Sequence, residues 1–129
     1  MTLELTYLLW SVVLTFVLAL IAVTGAFLQV GLPPLAGNRE NLPEMMGWAG
    51  RAQRAHRNML ENLILFAVLV LVAHVVGVRN GMTVLGAQLF FWGRVAHAAI
   101  YLAGIPWLRT AAWLVSVLGL VLIALQLIR

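Results

Sequence analysis

The stretch from Leu5 to Val30 reads LTYLLWSVVLTFVLALIAVTGAFLQV, 26 residues without one Asp, Glu, Lys, Arg or His. A hydrocarbon core about 30 Å thick is crossed by about 20 helical residues, so this run is long enough to span a bilayer. It lacks the form of a cleavable signal: no basic region precedes it, it is too long, and Glu4 stands where Lys or Arg is expected. The run is therefore expected to stay in the mature protein as a membrane span.

Three further apolar runs follow, at about Asn58 to Gly77, Met82 to Leu102 and Leu108 to Ile128. The expected fold class is an all-α membrane protein, one domain over residues 1–129 built as a four-transmembrane-helix bundle. Composition agrees, since 64% of the chain is hydrophobic and 9% charged, against about 25% charged in soluble domains. Cysteine is absent, which excludes disulfides, thiolate metal sites and a protein thiol nucleophile.

Asn80-Gly81 and Gly104 with Pro106 mark short turns after the second and third runs, so those helices should be antiparallel neighbours. Only the first connection, about Gly31 to Arg57, is long. It holds Pro33, Pro34 and Pro43, and Asn41 with Glu44 resembles a capping box opening a short helix toward Trp48.

The net charge of +4 comes from eight basic residues, all arginine, against four acids, all glutamate. With four crossings, Arg39, Arg51, Arg54, Arg57 and Arg109 fall on one side, and only Arg79 and Arg129 with Glu4 on the other. The positive-inside rule then makes the 31–57 loop cytoplasmic and places both termini outside, in an inner or plasma membrane. Tyr7 and Trp10 near one face, and Trp48 and Trp107 near the other, suit interfacial aromatic belts. Arginines spread among apolar runs form no solvent-facing stripe, so nucleic acid is not an expected partner.

Helical spacing gathers the polar residues. At about 100° per residue, Arg51, Arg54, Arg57, Asn58 and Glu61 share one stripe of the second span, with His56 turned away and His74 near the far end. Arg94, His97 and Tyr101, at spacings of three and four, stack on one face of the third span. Gly86 and Gly93 lie on an adjacent face suited to close helix approach. Charges at membrane depth cost about 2.5 to 3.5 kcal/mol on insertion scales, so Glu61 and Arg94 are expected to face the bundle interior and pair. Arg109 and Thr110 open the fourth span, where free N–H groups and the helix dipole favour an anion. The whole reads as a cationic, donor-rich pocket for a small, multiply charged molecule that meets a hydrophobic one.

Each residue has a plainer reading. Loop arginines set topology, Tyr101 can be an interfacial anchor, His97 a satisfied interior histidine and Asn58 a helix-to-helix hydrogen-bond residue. What these leave unexplained is why three helices bring donors to one depth. No metal is assigned, because His56 and His97 approach from opposite directions without a carboxylate or cysteine companion.

The stretches Arg54-Ala55-His56-Arg57-Asn58-Met59-Leu60-Glu61 and Arg94-Val95-Ala96-His97-Ala98-Ala99-Ile100-Tyr101, with Arg109-Thr110, resemble the MAPEG superfamily, membrane-associated proteins in eicosanoid and glutathione metabolism, in a bacterial-type form. The resemblance implies a homotrimer of four-helix bundles that holds glutathione between subunits and meets a lipophilic electrophile from the bilayer. It implies that Arg54, Arg57, Asn58, Glu61, Arg94, His97 and Tyr101 hold or frame glutathione, that Arg109 activates its thiol, and that Thr110 replaces a serine of some members. Arg51 joins this set by position. A cation at a helix N-terminus favours the thiolate of a thiol whose ordinary pKa is about 8.5. Arginine forks match the two carboxylates of the tripeptide.

The chain departs from the family pattern in places. Many members carry a basic residue near the end of the first span, where Gln29 stands here. Met59 replaces the acid of prostaglandin-forming members, and Ile64 a frequent proline. The expected activity is a glutathione-dependent transferase or peroxidase. The alternatives are a noncatalytic protein binding a lipid or anionic metabolite in the same pocket, and a small multidrug transporter, which would need an acid within the first span.

Overall fold

The computed structural model describes residues 1–129 and is helical from end to end: α1 (Leu3–Val30), α2 (Leu32–Ala36), α3 (Gly47–Val76), α4 (Gly81–Ala103) and α5 (Pro106–Ile128). Three of them, α1, α3 and α5, are long and apolar enough to cross a membrane by length and composition. The chain is an integral membrane protein. Helix α4 matches α5 at 23 residues, but Gln88, Arg94, His97 and three glycines keep it outside that set.

Packing is inverted relative to a water-soluble bundle. Only 31 of 129 residues are buried, while Phe16, Leu28, Ile64 and Val75 stand out from the surface at 63%, 68%, 64% and 82% exposure. Such a surface is stable against lipid tails and not against water. The polar groups of α1 are handled within the helix, as an apolar solvent demands: the hydroxyls of Ser11, Thr15 and Thr24 donate to the carbonyls of Tyr7, Ser11 and Leu20 at 2.7, 2.8 and 2.8 Å.

The closest helix pairs are α4 with α5 and α1 with α3. Glycine sets the first. A Cβ on Gly86 would lie 2.7 Å from the Gly119 carbonyl, one on Gly93 would lie 2.9 Å from the Ser116 nitrogen, and one on Gly119 would strike the Gly86 carbonyl. The packing role expected for Gly86 and Gly93 is thus met by α5, whose Gly119 completes the seam. Between the two pairs lies the main apolar core, where Phe66 of α3 stacks on Phe90 of α4 with centroids 4.0 Å apart.

The turns behave as their residues suggest. Helices α3 and α4 end on Gly77 and Gly104, both left-handed at φ 77° and 80°, a conformation open to glycine without penalty. Asn80 caps α4 in a box with Thr83.

The long connection differs from expectation. No helix opens at Asn41, because Leu42 precedes Pro43 and a residue before proline is pushed out of the α region. A short helix forms earlier instead, with Pro33 in the first turn of α2, where its missing N–H costs nothing. Helix α3 begins at Gly47, ahead of Asn58, where the expected membrane span begins, and takes in the whole stripe from Arg51 to Glu61. At 30 residues it runs about 45 Å, so its first turns project beyond a hydrocarbon core of about 30 Å. Arg51, Arg54 and Arg57 are therefore helical residues and not loop residues.

Candidate functional site

The two ends of the bundle are defined by contacts. At the loop end, Arg51 Nε donates to the Leu102 carbonyl at 3.0 Å, tying the start of α3 to the end of α4. At the termini end, the Thr83 hydroxyl donates to Glu4 Oε2 at 2.8 Å and Arg79 Nε lies 3.8 Å from Glu4 Oε1. Asn80 Nδ2 there donates to Gln126 Oε1 at 2.9 Å. The termini end thus holds a buried carboxylate, since Glu4 lies in the first turn of α1 and is only 6% exposed.

A hollow of about 220 Å³ opens at the loop end between α3, α4 and α5, lined by Asn58, His97, Tyr101, Arg109, Thr110 and Trp113. The spacing of His97 and Tyr101 places both rings on one face of α4, 5.4 Å apart and edge to face. Helix α5 starts opposite them: the Arg109 guanidinium stacks over the Tyr101 ring at 4.4 Å, a cation–π contact that fixes its aim. Pro106 stands in the first turn of α5 and no side chain caps that end, so early backbone donors face outward beside the Arg109 charge.

Beneath the hollow lies a buried polar node. Arg94 is 1% exposed, and its Nη2 donates to Asn58 Oδ1 at 2.7 Å. Asn62 Nδ2 donates to the Asn58 carbonyl at 2.8 Å and lies 3.3 Å from Asn58 Oδ1. Asn58 is therefore held by two neighbours and forms both the floor of the hollow and the link to Arg94. The Nε and Nη1 groups of Arg94 have no acceptor.

Glu61 is not Arg94's partner. It is exposed, and the one ion pair of the structure joins Arg79 and Glu4. Geometry explains this: Glu61 lies roughly 60° farther round α3 than Asn58, which carries it from the packed seam to the outer surface. Arg54 and Arg57 are likewise exposed, and Arg51 is committed to the turn after α4. Of the ten residues singled out in the sequence, Asn58, His97, Tyr101, Arg109 and Thr110 line one hollow, Arg94 lies below it, and Arg51, Arg54, Arg57 and Glu61 lie outside it. Trp113 and Asn62 were missed. Each stands four residues after a residue already singled out, Arg109 and Asn58, and that spacing was the available signal.

A family model described as the MAPEG family matches residues 5–129. The chain belongs to the MAPEG family. No curated protein matches it. The match takes in α1, which the motifs of α3 to α5 alone did not cover. Gln29, standing where many MAPEG members have a basic residue, is structural here: its Nε2 donates to the Met46 carbonyl at 2.7 Å and its Oε1 accepts from the Met46 N–H at 3.0 Å. That reciprocal pair pins the end of α1 to the chain entering α3. Of the three histidines, His97 turns into the hollow and His56 into a groove against α1.

Proposed function

We propose that this MAPEG chain is a membrane-bound glutathione-dependent transferase or peroxidase that presents a thiolate to a lipophilic electrophile. The observation that carries the reading is the convergence of Arg109, stacked on Tyr101, with His97, Thr110 and Asn58 around one hollow at the start of α5. In this role the Arg109 guanidinium and the N–H groups of the first α5 turn stabilise the glutathione thiolate, the nucleophile in either reaction. Tyr101 holds Arg109 in place, and Asn58, fixed by Arg94 and Asn62, offers its amide to the peptide.

In this reading α4 also crosses the membrane, giving four spans. Its polarity is directed inward, with Thr83, Arg94 and His97 at 0%, 1% and 3% exposure. The arginine-rich loop end is cytoplasmic and both termini are outside, as the positive-inside rule requires. The working unit is a homotrimer. Glu61, exposed on a spanning helix, carries an insertion cost of about 2.5 to 3.5 kcal/mol in lipid that a neighbouring subunit relieves. The same packing brings the exposed Arg54 and Arg57 to a neighbour's hollow, where they supply the carboxylate clamp that one chain leaves incomplete.

Isothermal titration of the purified assembly with glutathione is the direct test. Saturable heat at millimolar ligand is expected, and its absence would sink the assignment. One observation favours a noncatalytic reading: Gln29 is neutral and fully engaged by Met46, so the clamp lacks that cation. Glutathione binding without conjugation or peroxide reduction across several hydrophobic electrophiles would select it.

A further inference from the structure

A separate pocket of about 170 Å³ lies at the termini end of the bundle, between the start of α1, the last turns of α3 and the turn that leads to α4. It shares no residue with the Arg109 hollow, and none of Arg51, Arg54, Arg57 and Glu61 lines it. Val70, Ala73 and His74 form its α3 wall, at the three- and four-residue spacing of one helix face. Thr2 and Glu4 of the α1 start and Arg79 of the turn close it.

Glu4 is the unusual member. The Thr83 hydroxyl is the one protein donor to its buried carboxylate, at Oε2, and Oε1 is buried with no hydrogen bond. Arg79 Nε lies 3.8 Å from Oε1, beyond hydrogen-bond distance, and its side chain is largely exposed. A buried carboxylate is stable where further donors satisfy its remaining lone pairs, so Glu4 lacks at least one donor. One small pocket therefore brings together an unpartnered carboxylate oxygen, a loosely held guanidinium and the His74 imidazole, a pattern with charge of both signs. Leu3 and Val75, beside Glu4 and His74 in the chain, are exposed large apolar residues. Such a rim faces lipid and sets the pocket at the bilayer interface.

We infer that this pocket binds the phosphoethanolamine headgroup of a phospholipid in the leaflet on the termini side, with its ammonium on Glu4 Oε1 and its phosphate between His74 and Arg79. A primary ammonium carries three N–H donors and a positive charge, which supplies the charge-assisted hydrogen bond that Oε1 lacks. A choline headgroup has no N–H, and a glycerol headgroup has no positive charge, so neither replaces it. Arginine matches phosphate oxygens, and the bilayer delivers the headgroup already at the level of the pocket. Nothing in this inference depends on glutathione chemistry, which lies at the opposite end of the bundle.

Native mass spectrometry of the assembly from mixed vesicles of phosphatidylethanolamine, phosphatidylcholine and phosphatidylglycerol with identical acyl chains tests it. Retention of phosphatidylethanolamine, one molecule per chain, is expected in preference to both others, falling stepwise as the amine is methylated. Glu4→Gln keeps the side-chain shape and an acceptor for Thr83 but removes the charge. It should lower the preference for phosphatidylethanolamine over phosphatidylcholine about tenfold, the worth of one charge-assisted hydrogen bond. His74→Trp should abolish selective retention by filling the pocket from an exposed position. Unchanged melting temperature in lipid-free detergent and unchanged glutathione titration separate headgroup loss from unfolding, and if Glu4→Gln misfolds, His74→Trp decides. Equal retention of the three lipids by the native chain, or a preference untouched by the substitutions, overturns the inference. Displacement of the lipid by millimolar free phosphoethanolamine would assign the pocket to a soluble ligand and overturn it as well.

Discussion

At the scale of single residues, Arg109 and Asn58 separate chemistry from architecture. Arg109 sits at the rim, stacked on Tyr101, so Arg109→Ala removes charge without opening the core. Turnover should fall about a hundredfold, as on loss of one preorganised donor, while glutathione affinity falls much less. The ultraviolet absorption of bound thiolate should fall with turnover, and a variant that keeps both would remove Arg109 from the mechanism. Asn58 is different, because it is the sole protein acceptor for the buried Arg94. Asn58→Ala strands a charge and should cost about 3 to 5 kcal/mol of stability, whereas Arg94→Met, which removes the charge itself, should cost less. Thermal unfolding in detergent compares the two.

At the scale of helices, the seam of α4 and α5 depends on glycines whose backbones touch. Gly119→Val would drive side-chain atoms into the Gly86 carbonyl and the Phe90 nitrogen, costing about 1 to 3 kcal/mol or more by overpacking. Gly81 has nothing within 4 Å of a built Cβ, so Gly81→Ala should leave the melting temperature nearly unchanged. The contrast checks that contact, and not glycine content, holds the pair. Close approach of α4 and α5 is also what brings the α5 start against His97 and Tyr101, so loosening the seam should weaken glutathione binding in the same titration.

At the scale of the molecule, the course of α4 decides how many times the chain crosses. The chain has no cysteine, so a single introduced one reports its side unambiguously. Arg79→Cys, before α4, and Ile105→Cys, after it, should be labelled by a membrane-impermeant maleimide from opposite sides of sealed vesicles. Labelling from one side would mean that α4 does not cross and would remove the four-span topology.

The helices, their turns and their glycines were legible because each rests on local chemistry. Apolar length makes spans, Gly77 and Gly104 terminate helices, and Asn80 caps one. Helix α3 starts at Gly47, ahead of its apolar run, because a helix can carry charge on into the interface. The family was legible in the α3 and α4 motifs, and the spacing of Arg94, His97 and Tyr101 correctly put them on one face.

What sequence could not determine was which neighbours those faces meet. A seam between two helices is narrow, and a rotation of about 60° separates a buried partner from an exposed one. Tertiary packing gave Arg94 to Asn58 and left Glu61 outside, set Arg57 against α1 and Asn58 against α5, and spent Gln29 on a backbone clamp. Membrane residence and helical class follow from solvent preference, a property of each segment alone. The site depends on the rotation and depth of three helices together, which only their packing sets.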